Sequence, residues 1–125
     1  MKTVDRPSRQ KSLLALRRRE RAERIARLNA VIAERDQLIA ELELVRLSIE
    51  ERRQQLTHNH HSDRCSALTL SIMLNERIRA AAALDADERQ ERALNQKLEE
   101  TSRDVLEAKK DAAQAQQALN ALKSR

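Results

Sequence analysis

The residues best equipped for chemistry lie in one short run: His58, His60, His61, Asp63 and Cys65. Imidazole, carboxylate and thiolate are all metal ligands, but a zinc site needs four of them held tetrahedrally, normally as two separated pairs of fixed spacing. A single polar stretch does not supply that geometry, so neither a metal nor any other cofactor is expected, and the histidines are expected simply to end a helix. Cys65 is the one cysteine; it has no disulfide partner and no neighbouring scaffold to hold an oxyanion, which argues against a nucleophile. Carboxylates are plentiful, yet acid–base catalysis needs a pair of them in a concavity that excludes water. With no glycine at all, the chain also lacks the loops that cradle phosphates in nucleotide-binding enzymes. The expectation is a protein that is not an enzyme.

A second set of residues points to binding. Residues 1–27 hold ten Lys/Arg against three acids, whereas the other 98 residues sum to −2 within a net charge of +5. Arg17, Arg18, Arg19, Arg21, Arg24 and Arg27 form the core of this basic segment, and such asymmetry marks a surface that meets an acidic partner. A basic run ahead of heptads is similar to the basic region of a leucine zipper. Against that reading, Glu20 and Glu23 interrupt the run, no Asn within it can read a base edge, and no aromatic residue is present for base stacking. A salt-sensitive contact with duplex phosphates remains the alternative function, beside a purely structural scaffold rod.

The elements that must position these residues are helices. Ala (19) and Leu (18) supply most of the apolar content, 36% of residues are charged and none is aromatic, the composition of long helices with little globular core. Asp5, Pro7 and Ser8 are start signals, and a heptad stripe follows through Leu14, Arg18, Arg21, Ile25, Leu28, Ile32, Arg35, Ile39, Leu42, Arg46, Ile49, Arg53 and Leu56, widened by Val31, Leu38 and Val45. The one break is the polar stretch at 57–64, where Asn59 suits a left-handed cap and Ser62 or Asp63 suits an N-cap. The stripe then resumes from Leu70, Met73, Arg77, Ala80 and Leu84 through Asp87, Glu91, Leu94, Leu98, Thr101, Val105 and Ala108 to Leu122. The fold class expected is all-α: a single domain over 1–125 with helix 1 at about 8–57, a turn at 58–63 and helix 2 at about 64–123, folded into an antiparallel coiled-coil hairpin.

A turn centred near residue 61 sets a register in which facing residues have numbers summing to about 122. That places Leu28 by Leu94, Ile49 by Met73, Arg18 by Asp104 and Arg46 by Glu76. It also pairs Arg35 with Asp87, both in the seam, where a matched charge disfavours slipped alignments more than it stabilises. Exposed i, i+4 pairs such as Glu20 with Arg24, Asp85 with Arg89 and Glu88 with Arg92 add a few tenths of a kcal/mol each. No apolar run is long enough for a signal-peptide core or a membrane span, so a cytoplasmic location without membrane insertion is expected.

Two heptad helices, a turn at His58 to Asp63 and an Arg-rich first helix from Arg17 to Arg27 together resemble the YscO/FliJ-type stalk proteins of type III secretion and flagellar export, including their HrpO-like members. The resemblance covers essentially the whole chain and rests on format. It implies a small coupling subunit that sits in or under the hexameric secretion ATPase and links it to an export gate protein or to chaperones, at the inner-membrane export apparatus. Carried onto this chain, the terminal end would meet the ATPase through Arg17, Arg18, Arg19, Arg21, Arg24, Arg27, Lys109 and Lys110, and the turn end would meet the other partner through Leu56, His60, His61, Arg64 and Leu68.

Overall fold

The computed structural model describes residues 6–58 and 66–124, and every secondary-structure element among them is helical. Helix α1 runs Arg6–His58 and helix α2 runs Ala67–Lys123, packed against each other as an antiparallel hairpin. Pro7 sits in the first turn of α1, where its missing N–H leaves no bond unmade. The start of α2 is later than expected. Ser66 is its N-cap: the Thr69 backbone N–H donates to Ser66 Oγ at 3.2 Å, the N-cap to N3 bond that satisfies one of a helix's free donors; the candidate caps Ser62 and Asp63 lie outside the described residues. At the end of α1, Arg77 donates to the Leu56 carbonyl at 3.4 Å, placing a cation where the helix dipole and the last free carbonyls favour one. The expected turn residues Asn59 to Asp63 lie outside the described residues, as do Arg64 and Cys65.

The hairpin divides into two compact units: Met1–Asp36 with Glu99–Arg125 (unit 1), and Gln37–Leu98 (unit 2). In unit 2 the core is Leu42, Val45, Ile49 and Leu94, each no more than 8% exposed, with Leu38, Leu84 and Leu98 packed around them. Burying each of these aliphatic side chains contributes about 2 kcal/mol. In unit 1 the buried positions are Thr101, Val105, Ala108 and Leu119, flanked by half-buried Ile25, Leu28, Val31 and Ile32.

On α2 the expected stripe is the observed seam at every named position from Ala80 to Leu122, all buried or half-buried. Leu70 and Arg77 are exposed instead. On α1 one of the two seam columns is shifted by a residue: Leu38, Val45 and Arg52 turn inward where Ile39, Arg46 and Arg53 were expected. Arg46 and Arg53 sit at the flank, where they reach acids and keep their charged heads hydrated.

The register is also corrected. In unit 2, Arg46 meets Glu91, Arg52 meets Asp87 and Arg53 meets Glu88; in unit 1, Arg21 meets Gln116 and Arg24 meets Asp111. The numbers of these facing residues sum to 137–141 in unit 2 and to 135–137 in unit 1, rather than 122. Ile49 consequently packs in the cluster with Leu94, not with Met73, and Arg46 has Glu91 in place of Glu76. The difference is about two heptads, and sliding one helix by whole heptads returns apolar positions to apolar positions. Charge and packing favour the observed choice. It sets Arg46, Arg52 and Arg53 against three acids, whereas the shorter register would set Arg52 and Arg53 near uncharged Leu70 and Thr69. The slip carries the first turns of α2, from Ala67 to about Leu74, past the last described residues of α1.

The anticipated Arg35–Asp87 pair is corrected for the same reason. Asp87 accepts hydrogen bonds from Ser48 Oγ at 2.8 Å and Arg52 Nε at 2.7 Å, and Arg35 makes its ion pair with neighbouring Asp36 at 3.6 Å. Of the i, i+4 pairs, Asp85–Arg89 forms at 2.8 Å, while Glu20 pairs with Arg17 and Glu88 with Arg53.

Candidate functional site

The basic segment of α1 and the two lysines of α2 fall within unit 1. The segments that compose this unit carry sixteen Lys/Arg and ten Asp/Glu, against nine and ten in unit 2, so the excess positive charge belongs to unit 1. The arginines from Arg17 to Arg27 divide into two groups. Arg17, Arg21 and Arg24 are engaged locally: Arg17 with Glu20 at 3.0 Å, Arg21 with the Gln116 side-chain carbonyl, and Arg24 with Asp111 at 3.9 Å. Gln116 is itself oriented by donating to Asn120 Oδ1 at 2.8 Å. These contacts tie the two helices together and neutralise part of the charge.

Arg18, Arg19, Arg27, Lys109 and Lys110 are exposed, and among the described residues none of them takes part in an ion pair. Arg18 was expected to face Asp104; it points to solvent instead, because the seam on this stretch passes through Arg17. The register has a consequence that the sequence pattern did not carry. With numbers summing to about 135–137 in this unit, Lys109 and Lys110 lie level with Arg27, whereas a sum of 122 would have placed them near Leu13. Three exposed cations therefore fall at nearly the same level of unit 1.

Beside them is an open groove of about 250 Å³ lined by Arg17, Glu20, Arg24, Asp111, Ala115 and Ala118. The alanines make it: small side chains on α2 leave space that a Leu would fill. Its walls carry cations and carboxylates that already pair with one another, and Arg17 Nε is buried without a hydrogen-bond partner. The arrangement can attract and orient an acidic surface.

The turn-end residues are placed only in part. Leu68 is 73% exposed and Leu56 is half-buried; His60, His61 and Arg64 lie outside the described residues. The His58-to-Cys65 run likewise lies outside them apart from the backbone of His58. Among the described residues no three His, Cys, Asp or Glu side chains come together in a way that could hold a metal ion, and no described helix is long and apolar enough to cross a membrane. The geometry defines a two-helix antiparallel coiled coil with a basic terminal unit. No family model, curated protein or solved structure matches this chain.

Proposed function

We propose that this protein is a non-enzymatic coupling subunit that docks through the exposed cations of unit 1 on an acidic protein surface, and that it serves as the stalk of a type III secretion or flagellar-type export apparatus. The observation that carries the reading is the set of exposed cations, Arg18, Arg19, Arg27, Lys109 and Lys110, gathered in one compact unit and without an ion pair among the described residues. Surface cations that pair with nothing in their own chain contribute little to stability. They raise the rate at which an acidic partner is captured and fix how it is oriented. The secretion-stalk identity rests further on the hairpin format and its resemblance to YscO/FliJ-type proteins, whose ATPase partner is a ring. The partners in this reading are the hexameric export ATPase at the basic unit and an export gate protein or chaperone at the other end.

The test is co-purification with the export ATPase encoded in the same genome, followed by ATPase assembly and turnover measurements. Binding is expected at low salt, with an on-rate that falls steeply as salt rises. Charge reversal of Arg18, Arg19 and Lys110 together should weaken it at least about tenfold, with helix content unchanged because all three are exposed. Absence of a complex, with ATPase oligomerisation and activity unchanged on adding the protein, overturns the stalk reading. Retention on duplex DNA with the same salt dependence, and no ATPase binding, would move the basic face to the nucleic-acid alternative.

A further inference from the structure

The first turns of α2 carry a feature that the docking of unit 1 does not use. From Cys65 to Asn75 the sequence holds no charged residue, in a chain that is 36% charged. Leu68 (73%), Leu70 (46%), Ile72 (50%), Leu74 (52%) and Ile78 (65%) are nevertheless exposed. A helix that is apolar on most of its circumference is ordinarily covered.

One stripe of this surface has a symmetry that identifies its cover. Ala67, Leu70, Leu74, Ile78 and Ala81 are all exposed, lie on one face, and are spaced three, four, four and three residues apart. The spacing reads the same in both directions about Leu74, and so do the residue sizes: small, large, large, large, small. A stripe of this kind is complementary to itself when two copies lie antiparallel about a two-fold axis, the symmetry of the commonest protein dimers. Leu74 then meets Leu74 of the second copy, Leu70 meets Ile78, and Ala67 meets Ala81. The charges permit it as well: in this alignment Arg77 lies level with Ser71 and Glu76 level with Ile72, so no like charges face each other. We propose that the stripe Ala67–Leu70–Leu74–Ile78–Ala81 is a two-fold interface at which two copies of this chain associate.

Its size sets its strength. A helix from Ala67 to Ala81 is roughly 21 Å long at 1.5 Å per residue, and a single such pair of helices belongs to the small interfaces, under about 1,200 Å² in total, that form reversible complexes. The dimer is therefore concentration-dependent, and it uses residues of unit 2 alone.

Sedimentation velocity from about 5 to 500 µM, a range spanning the affinities of small interfaces, should show the mass of the chain rising toward twice its monomer value. Leu74→Lys and Leu74→Glu should each hold it at the monomer mass across that range, since each places like charges on the two-fold axis. An equimolar mixture of the two variants should recover the dimer, because residue 74 meets its own counterpart. Leu44→Lys, at a leucine 68% exposed elsewhere on the surface, should leave association unchanged. Circular dichroism on each variant should give the parent helix content, as every substituted side chain is exposed. A monomer at all concentrations, a dimer that survives Leu74→Lys, or a mixture that stays monomeric overturns the proposal; the first of these leaves the stripe to a different protein.

Discussion

Asp87 is the acid on which the register of unit 2 turns, and removing it tests that register directly. One carboxylate oxygen accepts from Ser48 at 2.8 Å and from Arg52 at 2.7 Å, and the Asp87 side chain is only 18% exposed. Hydrogen bonds to a charged group contribute about 1.5–3 kcal/mol when both partners are buried. The Arg52 side chain is 37% exposed, so its share is reduced toward the surface-pair value of about 0.5–1 kcal/mol. Ser48, half-buried, contributes about 1 kcal/mol. Asp87→Ala is therefore expected to destabilise the protein by about 2 kcal/mol, and Ser48→Ala by about 1 kcal/mol. The two effects should fall short of additivity by most of the smaller one, because the serine loses its acceptor in either case. Urea unfolding followed by circular dichroism reads these values, provided that the denaturant slope is unchanged. The decisive comparison is Arg35→Ala combined with Asp87→Ala, which should be additive within about 0.5 kcal/mol. A larger coupling between Arg35 and Asp87, or none between Ser48 and Asp87, refutes the observed register and restores the shorter one.

Leu94→Ala should cost about 3 kcal/mol, since Leu94 is 6% exposed among Leu42, Val45 and Ile49 and its loss leaves a cavity, while Leu44→Ala should change stability by less than about 0.5 kcal/mol; equal losses in urea unfolding would contradict the seam. Arg35→Leu should raise stability by about 1 kcal/mol, because Arg35 occupies a half-buried seam position with its Nε buried and without a hydrogen-bond partner, and a well-packed aliphatic side chain does better there. Thermal melts showing a loss would mean that Arg35 serves a contact beyond Asp36. Ser66→Ala should remove about 1 kcal/mol from the start of α2 and speed amide hydrogen exchange in its first turn; unchanged exchange at Thr69 would rule out the cap.

How much of this was legible in the residues differs between the two helices. The α2 stripe was readable because its large apolar residues beyond Ala80, Leu106 apart, all fall on the two heptad columns: Leu84, Leu94, Leu98, Val105, Leu119 and Leu122. The α1 stripe was ambiguous: Val31 adjoins Ile32, Leu38 adjoins Ile39 and Val45 lies beside Arg46, so two columns one residue apart fit the heptad almost equally well. The wider alternative was visible in Val31, Leu38 and Val45, but only the position of α2 selects between them. Among the candidate binding residues, the charge count alone marked Arg17 to Arg27. It did not separate Arg17, Arg21 and Arg24, which hold contacts within the unit, from Arg18, Arg19 and Arg27, which are exposed and make no ion pair among the described residues. That division depends on which side chains of the opposite helix stand within reach.

Composition and periodicity determined the helices, the break between them and their antiparallel return, all of which follow from local propensity and from one apolar face per helix. The tertiary structure decided the alignment. A heptad pattern is unchanged by a shift of seven or fourteen residues, so apolar periodicity cannot distinguish one such register from another. The choice rests on energies that exist only between distant segments, such as Arg52 against Asp87 and Leu94 among Leu42, Val45 and Ile49. With that choice came the level meeting of Arg27 with Lys109 and Lys110, and the uncovered stripe about Leu74.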